Sequence, residues 1–123
     1  MPFAPVTLAE DAPLCYENLE GTLHATKFMT ITVPCTSWMK RTSPAVVHVD
    51  GTARPQILQR SDNPGYYRIL EYYKKLTGIP SLINTSFNMH EEPIVCSPED
   101  AVRAFVQSEL DYLALGPFLV YPR

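Results

Sequence analysis

Twelve prolines, spread from Pro2 to Pro122, restrict this 123-residue chain to short elements. Each one removes a backbone donor and is excluded from helix interiors and most central strands. The opening Pro2-Phe3-Ala4-Pro5-Val6-Thr7-Leu8 is therefore read as extended, and it fits an edge strand. Alternating β-branched and apolar residues predict a strand over Lys27–Val33, stopped by Pro34. Residues 35–44 form a polar stretch, and Ala45–Val49 reads as a short buried strand closed by the Asp50-Gly51 turn. Gln56–Gln59 is a second extended piece that fits beside it.

The punctuation also marks two helices. Asn63-Pro64 is a cap followed by proline at the first helical position, and Tyr66, Ile69, Leu70, Tyr73 and Leu76 follow helical spacing up to the Gly78 stop. Ser97-Pro98-Glu99-Asp100 opens the second, with Ala101, Phe105 and Ser108 on one face. Pro80–Ile83 and Pro93–Val95 read as extended, and Tyr112–Leu115 and Phe118–Tyr121 as short strands broken at Gly116-Pro117. Strands alternating with two capped helices predict an α/β fold, with α+β as the alternative, built as one domain over residues 1–123 around a mixed sheet.

A net charge of -3 weighs against a nucleic-acid backbone as partner. Three cysteines and three histidines, without metal-type spacing, suggest neither a disulfide framework nor a metal site. No apolar run approaches the roughly 20 residues of a membrane span, and the start lacks signal-peptide grammar, so a cytoplasmic protein is expected.

Chemistry concentrates in two segments. Asn84-Thr85-Ser86-Phe87-Asn88 leaves a predicted strand at its C-terminal end, where α/β sheets bind ligands. Strand alternation would put Asn84, Ser86 and Asn88 on one side, offering uncharged donors and acceptors to phosphate, ribose or a carbamoyl amide. The plainer reading is a turn held by its own side chains. Asp50-Gly51-Thr52-Ala53-Arg54 is a tight turn whose backbone N–H groups and guanidinium suit a phosphate; the plainer reading is a hairpin with a surface arginine. His48, within an apolar run, is either a core histidine or faces the ligand. The tyrosines of the first helix read as packing residues, and Glu91-Glu92 as surface.

In this order, His48-Val49-Asp50-Gly51-Thr52-Ala53-Arg54 and Asn84-Thr85-Ser86-Phe87-Asn88 resemble segments of the O-carbamoyltransferases, which include nodulation-factor and antibiotic carbamoyltransferases. The resemblance extends through Pro2-Phe3-Ala4-Pro5, Asn63-Pro64, Thr77-Gly78-Ile79-Pro80, Glu92-Pro93-Ile94-Val95-Cys96 and Pro98-Glu99-Asp100-Ala101 to nearly the whole chain. It implies the C-terminal, YrdC-like domain of that family, a twisted mixed sheet with helices. The implied domain binds ATP, with Mg2+, and carbamoyl phosphate to form carbamoyl adenylate. A separate Kae1-like domain would then carbamoylate a hydroxyl.

By matching positions, Arg54, Asn84 and Ser86 would contact the nucleotide and its phosphates, with Asn88 and His48 as further candidates, while Ser86-Phe87-Asn88 resembles the serine-x-asparagine element of YrdC-type proteins. The resemblance also places a lysine and an arginine of this pocket upstream of Met1, and a glycine where Glu91 stands. The chain is therefore expected to be partial relative to the family domain and incomplete as an enzyme by itself. The alternative is a catalytically silent interaction or assembly module, paired with a Kae1-like domain or self-associating.

Overall fold

The structure, a computed structural model, describes residues 3–122, so Pro2 of the expected opening strand lies outside them. Along the chain come β1 (Ala4–Leu8), α1 (Ala12–Cys15), α2 (Leu23–Thr26), β2 (Val33–Pro34), α3 (Ser37–Thr42), β3 (Thr52–Ala53) and β4 (Gln56–Leu58). They are followed by α4 (Pro64–Thr77), β5 (Ser81–Asn84), α5 (Pro98–Gln107), β6 (Leu113–Leu115) and β7 (Phe118–Val120). Helices combined with mixed and antiparallel sheets make this an α/β fold. The elements gather into two compact units, Met1–Thr85 and Ser86–Arg123.

The first unit is organised by a three-stranded sheet in the order β4-β1-β5. The opening strand is thus central rather than an edge, parallel to β4 and antiparallel to β5. Pro5 is tolerated there for a geometric reason. The Leu8 N–H donates to the Pro80 carbonyl at 3.1 Å, so by alternation Ala4, Val6 and Leu8 turn their backbone groups toward β5. Pro5 turns its missing donor toward β4, whose pairing begins only at Val6↔Gln56.

Each face of this sheet has its own core. On one, Val6, Leu8 and Leu58 pack under Tyr67 and Leu70 of α4. On the other, Ile57 joins Tyr16, Val33, Cys35, Met39 and Val46. The Thr7 hydroxyl is buried on that second side, donating to Ser81 Oγ at 3.0 Å and lying 2.7 Å from the Tyr16 hydroxyl. Burial pushes the Tyr16 phenol up, and pushes the Cys15 thiol to about 12, so both stay neutral.

Three expected strands are corrected. Over Lys27–Val33 only Val33 is strand, opening the two-residue β2; the chain before it turns around the Ala25 carbonyl, which accepts from Phe28 N–H at 3.2 Å and the Thr30 hydroxyl at 2.9 Å. Local hydroxyl bonding wins there over β propensity. Ala45–Val49 is a 3-10 turn over Pro44–Val46 followed by irregular chain, with Val49 fully exposed. The strand Gln56–Leu58 is present, but its neighbour is β1 rather than that segment. Pro93–Val95 contributes a single backbone bond, Val95 N–H to the Phe87 carbonyl at 3.0 Å, instead of a strand. The polar stretch 35–44 holds the unexpected helix α3, capped by the Thr36 hydroxyl accepting from Met39 N–H at 3.2 Å.

The capped helices stand where their signals put them. The Asn63 side chain accepts from Tyr66 N–H at 3.1 Å, and Gly78, at φ 77°, closes α4. Only part of the expected apolar face is buried, because Ile69 and Leu76 point to solvent while Tyr67 and Leu70 carry the packing. In the second unit α5 has a full capping box between Ser97 and Asp100, and buries Ala101, Ala104 and Phe105; Ser108 is exposed. Ala101 and Phe105 pack with Leu113 of the β6–β7 hairpin.

Replacing Ser97 by alanine is expected to lower the thermal stability of this unit, by about 1 kcal/mol. The Asp100 carboxyl is held below its usual range, first by the Ser97 hydroxyl, then by backbone N–H groups and the Arg103 guanidinium. A depressed carboxyl contributes stability above its unfolded value, which is lost as pH falls through the lower folded value. Acid melts of the Ser97→Ala variant should therefore show a shallower loss below the ordinary value of 3.8; an unchanged profile would count against the box.

Candidate functional site

The turn from His48 to Thr52 is closed by its own groups. His48 N–H donates to the Thr52 carbonyl at 2.7 Å, and Gly51 N–H to the His48 carbonyl at 2.9 Å. Asp50 Oδ1 accepts from Thr52 N–H at 2.9 Å and from the Thr52 hydroxyl at 2.7 Å. These bonds, the hydroxyl first, hold the Asp50 carboxyl below its usual range. The Thr52 hydroxyl, whose proton goes to Asp50, also lies 3.1 Å from His48 Nδ1. Gly51 is favoured by its φ of 81°, and a Cβ there would lie 3.0 Å from the mobile end of the Lys40 side chain, which would have to shift. Lys40, carried by the unexpected α3, is a cation at this turn that sequence reasoning missed.

Arg54 and Asn84 meet at Met29. The half-buried Arg54 guanidinium donates to the Met29 carbonyl at 3.4 Å and makes no ion pair among the described residues. Asn84 Nδ2 lies 3.9 Å from Met29 Sδ and donates to Gln56 Oε1 at 2.8 Å. This last bond crosses the sheet from one outer strand to the other. Asn84 stands opposite Ala4 and Gln56 opposite Val6, so all four side chains share the α4 face, and the small Ala4 leaves room for the bridge. The Tyr66 hydroxyl, from the first turn of α4, points at Asn84 Oδ1 at 3.5 Å. Gln56 and Tyr66 also line a cleft of about 520 Å³ with His24, Phe28 and Lys27.

β5 ends at Asn84, so strand alternation does not carry on to Ser86 and Asn88. In the second unit, the Ser86 hydroxyl donates to Asn88 Oδ1, and Asn88 Nδ2 donates to the carbonyls of Met89 at 2.8 Å and Glu92 at 3.1 Å. Asn88 therefore spends its amide holding the 88–92 loop. Glu91 within that loop has φ 65°, the left-handed region that favours the glycine expected at this position. Of the candidates, the structure brings Arg54 and Asn84 to one residue, holds His48 in its own turn, and bonds Ser86 to Asn88. Met29, Phe28 and Gln56 were missed, the first two because a strand pattern covered the turn that presents them, while Tyr66, read as a packing residue, reaches Asn84.

The profile of the family described as Carbamoyltransferase C-terminus matches residues 1–121. The chain belongs to this family. Among relatives of this carbamoyltransferase C-terminal domain, nodulation protein NolO of Bradyrhizobium diazoefficiens is 44% identical over 122 residues, covering 99% of this chain and 22% of that protein. Nodulation protein NolNO of Sinorhizobium fredii is 43% identical over 122 residues, 99% of this chain and 18% of that protein. An uncharacterized protein of Methanocaldococcus jannaschii is 38% identical over 119 residues, 97% of this chain and 19% of that protein. The carbamoyltransferase C-terminal chain thus spans about a fifth of the length of these relatives. Among its described residues no helix is long and apolar enough to cross a membrane, and no three His, Cys, Asp or Glu side chains gather to hold a metal ion.

Proposed function

We propose that this carbamoyltransferase C-terminal chain binds ATP and carbamoyl phosphate and serves the formation of carbamoyl adenylate, which a separate Kae1-like domain uses to carbamoylate a hydroxyl. The observation that carries the reading is the convergence of the Arg54 guanidinium, free of any carboxylate among the described residues, with the Asn84 amide beside the cleft. Arg54 supplies charge and paired donors to a phosphate, and the Asn84 side-chain carbonyl, met among the described residues only by a long bond from Tyr66, has capacity to accept from a carbamoyl N–H. Such a site works by positioning and by charge stabilisation rather than by an acid or base. Mg2+ would arrive on the ATP phosphates, since the described residues offer it no carboxylate cage. The working compartment is the cytoplasm, where ATP is at hand.

Titration of the chain with MgATP and with carbamoyl phosphate, read by calorimetry and melting temperature, is the direct test. Saturable binding is expected, with stabilisation of about 2.7 kcal/mol at a hundredfold excess over the dissociation constant. Silence toward both ligands would remove the reading for this chain.

A second reading, an assembly module, is favoured by the open edge of β5. Because Leu82 and Asn84 turn their backbone groups toward β1, Ser81 and Ile83 turn theirs outward, without a backbone partner among the described residues. The second reading expects self-association that Ile83→Pro weakens in sedimentation runs. A strictly monomeric chain at high concentration would contradict it.

A further inference from the structure

We infer that the cleft beside α2 takes the nucleobase of the nucleotide by stacking and does not read which base it holds. This rests on the proposed ATP binding and adds the place and the selectivity of the base.

The cleft's volume of about 520 Å³ suits a small ligand. Its outer wall is Phe28, whose ring is 63% exposed. That exposure is built in. The turn around the Ala25 carbonyl and the left-handed Met29, at φ 53°, drive Phe28 outward, and His24 meets its ring edge-on at 5.5 Å and 70°. Tyr66, half-buried on the first turn of α4, contributes the second aromatic surface.

Gln56, Lys27 and Asp62, which line the cleft, are engaged by protein groups. Gln56 accepts from Asn84 at 2.8 Å and donates to the Lys27 carbonyl at 3.3 Å. Lys27 pairs with Asp62 at 2.9 Å, and the other Asp62 oxygen accepts from Gln59 N–H at 3.0 Å. Asn63 is occupied in capping α4. The polar groups left over, the His24 ring nitrogens and the Asn63 amide N–H, sit on exposed side chains, so the surface held in place for a ligand is aromatic and aliphatic, and every base has a π-face to offer it. The cleft also leads to the proposed phosphate groups: Phe28 adjoins Met29, whose carbonyl takes Arg54, and Gln56 and Tyr66 both bond to Asn84.

The test compares ATP, GTP and inorganic tripolyphosphate on the full chain and on its Phe28→Ala and Phe28→Trp variants, by calorimetry. Phe28 is exposed, so its truncation leaves the core intact. Expected are ATP and GTP affinities within about threefold of each other, a loss of roughly 5- to 150-fold for both in Phe28→Ala, retention in Phe28→Trp, and an unchanged tripolyphosphate affinity in both variants. ATP binding that Phe28→Ala leaves intact, or a preference for ATP over GTP beyond about tenfold, overturns the inference while ATP binding itself stands. A wild-type chain that binds none of the three overturns both.

Discussion

Replacing Arg54 by alanine is expected to weaken ATP and carbamoyl phosphate binding by roughly 10- to 150-fold, the range of a lost hydrogen bond to a charged group. The melting temperature should stay close to that of the parent chain. Both halves follow from the same observation: Arg54 makes one long bond, to the Met29 carbonyl at 3.4 Å, and no ion pair among the described residues, so little of the fold depends on it. Arg54→Lys is expected to restore only part of the affinity, because an ammonium keeps the charge but not the planar fork that matches a phosphate. Calorimetric titration of the three proteins decides the matter, and equal affinities would take Arg54 out of the site.

Truncating Leu70 to alanine should cost about 2–5 kcal/mol of stability, read by urea denaturation, through lost burial and the cavity left behind. Leu70 is 0% exposed and packs with Val6, Leu8, Leu58 and Tyr67. Ile69 and Leu76 lie on the solvent side, so α4 is held to the sheet largely through Leu70 and Tyr67. Ile69→Ala, one residue away, is expected to change stability by no more than about 0.5 kcal/mol. Equal losses from the two changes would contradict this account of the packing. Because Tyr66 rides on the same helix and reaches Asn84, the Leu70 change should also weaken nucleotide binding.

Much of this fold was legible in the sequence, and the legible parts share a cause. Both long helices begin at a side-chain cap followed by proline, Asn63-Pro64 and Ser97-Pro98, and α4 stops at a glycine; these signals act within a turn or two. The hairpin at Gly116-Pro117 is local in the same sense. Strands are different, since a strand exists only when a partner pairs with it. Lys27–Val33 carried a good β pattern and only its last residue, Val33, found a pairing partner, while Pro5, which looked suited to an edge, sits mid-sheet because its missing donor faces a neighbour that has not yet begun.

The candidate site divides along the same line. Arg54, Asn84, Ser86, Asn88 and His48 were chosen from residue chemistry and from resemblance to a family that the chain is now shown to belong to. By itself, then, the sequence determined the family, the capped helices and the polar and cationic groups on offer. Only the tertiary structure decided which of those groups meet. Gln56 reaches Asn84 because parallel and antiparallel partners on either side of β1 put both on the α4 face, and Arg54 reaches Met29 because a left-handed turn brings its carbonyl round. Side-chain contacts across 25 or 28 residues of chain depend on register, and register is set by the partners a strand finds.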